Sequence, residues 1–164
     1  MDWFEEPNLA KTFYEMIQAE QDLELLKQKL SLQTDFNMID LWALFDGQGH
    51  GTISRMQFEE VYNLLSMYPD RHELVMLFRK FDTDQDEILK YPDLVNMFGP
   101  RDDRYKDVLV HRKSFNSGRC YMRAQCFLPE TMNDFKRLLL LLLNTEVRIN
   151  NLKKQLIERK NFDV

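Results

Sequence analysis

The chain has 164 residues, of which 44% are hydrophobic, and this is enough to bury the core of one compact domain. Its net charge of −5 is unevenly divided, because residues 1–100 carry 8 Lys/Arg and 19 Asp/Glu whereas residues 101–164 carry 14 and 8. The longest aliphatic run, the six leucines 138–143, is far shorter than the roughly 20 residues that cross a bilayer, so we expect a protein without membrane contact.

A long N-terminal helix is predicted within residues 1–33. Apolar residues recur at helical spacing from Leu9 to Leu30, which is the pattern of an amphipathic helix. Glycine and proline, the residues that interrupt helices, occur only five times each in the chain. The periodicity and the lack of breakers together predict an all-α fold.

Residues 34–98 form two units that repeat with an offset of 36 residues, so that Phe45 and Asp46 correspond to Phe81 and Asp82. Each unit consists of a helical pattern, a polar loop and a second helical pattern. A four-helix lobe is therefore predicted for this part of the chain.

Residues 99–130 are predicted to be an irregular basic linker, since positive and aromatic side chains alternate there without helical spacing. A final amphipathic helix is predicted over residues 131–164, with Thr131 as its cap. With Thr145 included, its apolar positions from Leu138 to Leu156 lie alternately four and three residues apart, a heptad stripe suited to packing along another helix of this chain, of a second copy or of another protein. The predicted partner-binding residues are Leu138, Leu142, Ile149, Leu152 and Leu156 of the stripe and Arg112, Lys113, Arg119 and Arg123 of the linker.

The loop at residues 82–93 has the length and pattern of a calcium-binding loop, which takes oxygen ligands from positions 1, 3, 5, 7 and 12 and has glycine at position 6. Asp82, Asp84 and Asp86 occupy the first three positions. Glu87 replaces the glycine and must adopt a positive φ. Asp93 replaces the glutamate of position 12, and its shorter side chain suits magnesium better than calcium. A weak divalent-ion site or a solvated acidic loop both fit this pattern.

The loop at residues 46–57 keeps the shape of such a loop, with Gly51 at the turn and Ile53 at the apolar position. Its ligand positions hold Asp46, Gln48, His50 and Gln57. Only one of these is a carboxylate, so no metal is expected. Gln57 and Ser54 are better suited to a capping box at the start of the following helix.

The segments Leu-Phe-Asp-Gly-Gln-Gly-His-Gly-Thr-Ile (44–53) and Arg-Lys-Phe-Asp-Thr-Asp-Gln-Asp (79–86) resemble the paired hands of the EF-hand, calmodulin-like family. The resemblance covers residues 36–98 and implies that the two loops pair through a short antiparallel bridge around Ile53 and Leu89, with an apolar groove open to a partner helix. It also implies one calcium or magnesium ion at residues 82–93, with ligands from Asp82, Asp84, Asp86, the Ile88 carbonyl and Asp93.

The long helices on either side of the lobe look similar to those of EF-hand proteins of protist ciliary axonemes, in which degenerate hands clamp structural helices. This second resemblance implies a cytoskeletal, microtubule-associated location in the cytoplasm or the cilium. It also implies a place in a larger complex with other proteins.

The residues give no indication of an enzyme or of a nucleic-acid-binding protein. His50, His72 and His111 lack the spacing of a zinc site, and the chain has neither a nucleophile elbow nor a glycine-rich phosphate loop. A pI of about 5.3 and the acidic first hundred residues oppose binding to a polyanion.

Two functions therefore remain. The first is a non-catalytic structural protein that grips partner helices without calcium. The second is a calcium sensor that regulates a partner through residues 82–93. Loop chemistry favours the first, because one loop without ligands and one altered loop leave little free energy for shifting a conformational equilibrium.

Overall fold

The computed structural model describes residues 6–116 and 123–162, and it describes side chains for residues 10–116 and 123–158. Within these ranges the fold is all-α, as predicted, with seven α-helices and one two-stranded bridge. No helix among the described residues is both long and apolar enough to cross a membrane. The elements are α1 (Glu6–Leu32), α2 (Met38–Phe45), β1 (Ile53–Ser54), α3 (Arg55–Leu64), α4 (Arg71–Phe81), β2 (Ile88–Leu89), α5 (Tyr91–Phe98), α6 (Asp103–His111), a 3-10 turn (Arg123–Gln125) and α7 (Pro129–Phe162).

Two helix-loop-helix units, α2–β1–α3 and α4–β2–α5, form what we call the helix-loop-helix pair. Their loops meet in the antiparallel bridge, where Ile53 is opposite Leu89, as the resemblance implied. Side chains fix the helix starts: Asn37 caps α2, Asp70 caps α4, and Ser54 with Gln57 forms the predicted capping box of α3.

The two long helices lie side by side and run antiparallel. Lys29 near the end of α1 pairs with Asp134 near the start of α7 at 3.1 Å. Further along, residues 14–22 of α1 line a cleft together with residues 141–148 of α7. The heptad stripe of α7 therefore packs within its own chain, one of the three arrangements that the sequence left open.

One continuous core joins the long helices to the helix-loop-helix pair. Phe135 of α7 is fully buried at its centre, with its ring centroid 5.4 Å from that of Phe98 and 6.1 Å from that of Phe36. Phe45 links the same cluster to Phe58, at 5.8 Å. Such aromatic contacts make α7 a structural part of the lobe.

The prediction of an irregular linker over residues 99–130 is wrong for residues 103–111, which form α6. Asp102 caps this helix by accepting a hydrogen bond from the Arg104 backbone N–H. Leu109 is fully buried in the common core, so tertiary packing stabilises a helix that is too short and too charged to be recognised from its periodicity.

The start of the last helix also differs from the prediction. α7 begins at Pro129, two residues before Thr131, and proline suits a first helical position because it has no N–H to satisfy. Thr131 does not cap the helix by its own hydroxyl, which instead donates a hydrogen bond of 2.7 Å to the Asp35 carboxylate.

Candidate helix clamp and metal-binding loop

The loop at residues 82–93 brings three carboxylates together. One oxygen each of Asp82, Asp84 and Asp86 lies within 4.8 Å of the others. Asp82 is 95% buried at the end of α4, with a relative exposure of 5%. Its Oδ2 accepts the Glu87 backbone N–H at 2.9 Å, whereas its buried Oδ1 has no hydrogen-bond partner. A buried carboxylate oxygen without a donor is costly, so it is a suitable ligand for a cation.

The turn of this loop has the backbone conformation that the sequence predicted. Glu87 has a φ of 65° and Gln85 a φ of 54°, values at which residues other than glycine are strained. The hydrogen bond from the Glu87 N–H to Asp82 holds the turn in place. A cleft of about 340 Å³ opens beside it, lined by Arg55, Phe78, Arg79, Asp82, Gln85 and Glu87.

Lys90 supplies a positive charge to the acidic cluster, a role that the sequence reasoning missed. Its Nζ lies 2.7 Å from Asp84 Oδ2 and 3.0 Å from Asp86 Oδ2. The hydrogen bond to Asp84, followed by that to Asp86, raises the pKa of Lys90 above its usual range. The hydrogen bond from Lys90 in turn lowers the pKa of Asp86. A lysine at position 9 of a loop with aspartates at positions 3 and 5 is the sequence signal for this contact.

Asp93 and Ile88, the other implied ligands, have different contacts. Asp93 is buried, and its Oδ2 accepts the Lys90 backbone N–H at 2.9 Å, which caps the start of α5. Its Oδ1 accepts the Thr83 hydroxyl at 3.5 Å. Ile88 lies in the bridge and donates its N–H to Asp86 at 3.3 Å. The three convergent carboxylates and the unpartnered Asp82 oxygen fit a cation, while Asp93 lies outside the convergent group that the described residues form.

The loop at residues 46–57 satisfies its one carboxylate internally. Asp46 Oδ1 accepts the His50 backbone N–H at 2.9 Å, and Oδ2 accepts the Gly51 N–H at 2.7 Å. Burial opposes the charged form, but these N–H groups outweigh it and leave the pKa of Asp46 below its usual value. Gln57 bonds within the capping box, and Gln48 bonds the exposed His50 ring at 2.7 Å. This loop therefore keeps its shape through its own donors.

The apolar side of the helix-loop-helix pair, which the resemblance leaves open to a partner helix, is covered by α7. The Tyr62 hydroxyl is buried and donates a hydrogen bond of 3.0 Å to the Leu139 carbonyl of α7. Burial raises the pKa of Tyr62 well above its usual range. Lys80 of α4 pairs with the buried Glu146 of α7 at 3.2 Å. The pair and α7 thus form a helix clamp that is occupied within the chain.

Most of the predicted partner-binding stripe is used in this intramolecular contact. Leu138, Leu142 and Leu152 are buried against the rest of the chain, and Ile149 is half-buried. Only Leu156, which is 39% exposed, is available to another molecule. The assignment of the buried leucines to an outside partner is therefore corrected, because α1 and the helix-loop-helix pair already cover them.

Two of the basic residues of the same predicted set contact the chain itself. Arg112 donates to the carbonyl oxygens of Ser31, Gln33 and Phe36 just after α1, where the carbonyls of a helix end lack partners. Arg123 donates to the Leu44 carbonyl and pairs with Glu60 at 2.7 Å. These two arginines therefore join separate segments of the same chain. Lys113 is exposed, and Arg119 lies outside the described residues.

Two buried carboxylates, Asp40 and Asp35, anchor the region between α6 and α7. Asp40 is fully buried and accepts hydrogen bonds from the Ser114 hydroxyl and the Phe115 N–H at 2.5 and 2.7 Å. Asp35 accepts the Leu128 N–H at 2.8 Å and so satisfies the start of α7. Both connect residues that are far apart in sequence, which local patterns do not reveal.

The α1–α7 arm, formed by the two antiparallel long helices, exposes apolar side chains on both of them. Phe13, Tyr14 and Ile17 on α1 are 41%, 68% and 58% exposed, and Ile157 on α7 is 59% exposed. A cleft of about 280 Å³ lies between the two helices beside Tyr14. Phe13 and Ile17 lie four residues apart on one face of α1, and exposed apolar groups of this kind are typical of protein interaction sites.

Comparison of the chain with protein-family models, with curated proteins and with solved structures gave no match.

Proposed function

We propose that this is a non-catalytic structural interaction protein of the EF-hand type, in which the helix-loop-helix pair clamps α7 and the α1–α7 arm attaches the protein to helices of a cytoskeletal assembly such as the ciliary axoneme. The observation that most supports this proposal is that α7 covers the apolar side of the helix-loop-helix pair within the same chain. The groove is thus built as a permanent structural joint.

The loop at residues 46–57 supports a clamp that does not depend on calcium. Its single carboxylate is saturated by the N–H groups of His50 and Gly51. Both oxygens of this carboxylate already accept hydrogen bonds, so this half of the pair does not need a cation to hold its shape. The bridge from Ile53 to Leu89 then holds the other loop against it.

The proposed attachment surface is the set of exposed apolar side chains on the α1–α7 arm. Phe13, Ile17 and Ile157 supply apolar anchors, and acidic and basic side chains surround them. This combination suits an amphipathic helix of a partner protein, which would lie along the arm. The partner is therefore expected to be a protein helix, consistent with the acidic balance that disfavours nucleic acid.

Co-sedimentation with salt-washed ciliary axonemes tests the proposal. The wild-type protein is expected to pellet equally in calcium and in chelator, because neither the clamp nor the arm needs an ion. The double variant Ile17→Glu/Ile157→Glu is expected to stay in the supernatant. Met56→Glu, which changes an equally apolar side chain that is 81% exposed on α3, is the matched control and should pellet normally.

Either of two results would contradict this function. Pelleting that requires calcium would make the protein a sensor, and failure of the wild-type protein to pellet would remove the axonemal assignment. Loss of pelleting in Met56→Glu as well would place the attachment surface elsewhere on the molecule. Circular dichroism on each variant ensures that only folded proteins are compared.

A calcium sensor is the second candidate, and the unpartnered Asp82 oxygen favours it. That buried oxygen and the neighbouring Asp84 and Asp86 carboxylates offer a partial coordination shell. Calorimetric titration with calcium, with and without millimolar magnesium, distinguishes the two functions. Micromolar binding that survives magnesium and disappears in Asp82→Ala would support the sensor.

A further inference from the structure

We propose that Lys90 is a built-in competitor of the cation in the loop at residues 82–93: its ammonium pairs with Asp84 and Asp86 and so weakens the binding of a divalent cation at those carboxylates. This inference rests on the cation site of the second candidate function and concerns how that site is controlled.

The first observation is where the ammonium lies. Its nitrogen is 2.7 Å from Asp84 Oδ2 and 3.0 Å from Asp86 Oδ2. These two residues stand at positions 3 and 5 of the loop, where a calcium loop supplies metal ligands. The Lys90 side chain therefore engages the same carboxylate groups that an incoming cation needs. A cation and the ammonium at those groups would repel each other.

The second observation is that the ammonium satisfies only part of the cluster. Asp82 is one of the three convergent carboxylates, and its Oδ1 remains buried and without a hydrogen-bond partner. The Lys90 ammonium, which carries one charge and lies on the solvent side, leaves this inner oxygen unsatisfied. A divalent cation brings two charges and could bind oxygens of all three aspartates. The Lys90 ammonium therefore takes the place of a cation at Asp84 and Asp86 but leaves Asp82 unsatisfied.

The third observation concerns how strong this competition is. The Lys90 and Asp84 side chains are 47% and 49% exposed, and solvent screens such ion pairs. The ammonium can therefore be displaced, which distinguishes a competitor from a permanent structural lock. Removing it should raise calcium affinity by about tenfold or more, the scale of one like charge removed at close range in a partly solvated site.

The fold does not depend on the Lys90 side chain. Its backbone N–H, which any residue but proline supplies, donates to Asp93 and caps α5. The neighbouring Leu89 holds the bridge to Ile53. Substitution to methionine keeps most of the side-chain volume and removes only the charge.

The test is calorimetric titration of the full chain with calcium alone and with magnesium alone, on the wild type and on Lys90→Met. We expect the calcium association constant of Lys90→Met to exceed that of the wild type by about tenfold or more. Lys90→Arg keeps the charge and should stay close to the wild type. Lys90→Met/Asp84→Asn removes a ligand and should lose the gain.

Arg79→Met is the matched control, because Arg79 is a second cation beside Asp82 that lies in the adjoining cleft. It is expected to change calcium affinity by less than about threefold. An equal gain in both variants would reduce the effect to net charge and overturn the specific role of Lys90. No gain in Lys90→Met, with native circular dichroism, would overturn it as well.

The outcome for Lys90 can be separated from that for the proposed function. Lys90→Met without a calcium gain leaves the permanent clamp intact. Tight calcium binding by the wild type, together with calcium-dependent axoneme pelleting, would refute the clamp, while the ratio of the Lys90→Met and wild-type affinities would still measure the role of Lys90.

Discussion

Replacing Phe135 by alanine tests whether α7 is a structural part of the helix-loop-helix pair. Phe135 of α7 is a large side chain that packs against the pair, and it is fully buried. Its ring packs against Phe98 at 5.4 Å, Phe36 at 6.1 Å and Phe127 at 6.3 Å. Truncation therefore removes contacts with three separate segments at once.

The expected loss is large compared with the stability of a domain. Removing a buried phenylalanine side chain costs about 3–5 kcal/mol, whereas a domain of this size is stable by about 5–15 kcal/mol. With a urea dependence of about 2 kcal/mol per molar, the unfolding midpoint should fall by roughly 1.5–2.5 M. Leu140→Ala is the matched control on the same helix, because Leu140 is 44% exposed, and it should shift the midpoint far less.

Urea unfolding of Phe135→Ala should be followed by two probes. Circular dichroism at 222 nm reports all helices. Tryptophan fluorescence reports α2 if both proteins also carry Trp3→Phe, because Trp42 is then the only tryptophan. If the clamp is one cooperative unit, both transitions move together. If the circular dichroism midpoint falls while the urea midpoint of Trp42 fluorescence stays unchanged, α7 unfolds separately from the pair, and the clamp is refuted.

Three further predictions concern single side chains. Burial lowers the pKa of Lys27 to about 8, so the unfolded chain holds more protons between pH 8 and 10.5 and the wild type gains stability as pH rises through that window. Lys27→Met should therefore be more stable at pH 7 by about 1–3 kcal/mol, and urea unfolding at pH 10.5 or above should show this advantage disappearing. Asp40→Ala removes the acceptor of the Phe115 and Asn116 backbone N–H groups and should lower the free energy of unfolding by about 2–4 kcal/mol, with faster proteolysis of residues 114–116. Tyr62→Phe removes only the hydrogen bond to Leu139 and should cost about 1 kcal/mol in the same unfolding assay.

The helix-loop-helix pair was predictable because its signals are short-range. The positive φ of Glu87 follows from its place at position 6 of the twelve-residue loop, and the bridge of Ile53 and Leu89 is the one that the resemblance to paired EF-hands implied. The Ser54 and Gln57 capping box is equally local. Such features depend on neighbours within a few residues.

The remaining features depend on contacts that sequence patterns do not specify. A heptad stripe indicates that α7 packs on a helix but not on which one. Aspartates usually lie on the surface, and nothing close in sequence marks Asp35 and Asp40 as buried. The residues that donate hydrogen bonds to them lie more than 70 residues away along the chain. The contact of Lys90 with Asp84 is local, but the family pattern gives position 9 no fixed residue type, so it was passed over.

The intramolecular clamp also limits what calcium could do in this protein. A sensor must expose its groove, and here that requires release of α7, including Phe135, whose burial alone is worth about 3–5 kcal/mol. A cation at one hundred times its dissociation constant stabilises the state that binds it by only about 2.7 kcal/mol. At that concentration, ion binding at residues 82–93 alone would therefore fall short of opening the clamp. Ion binding at this loop would adjust the stability of the closed lobe, which is the behaviour of a structural element.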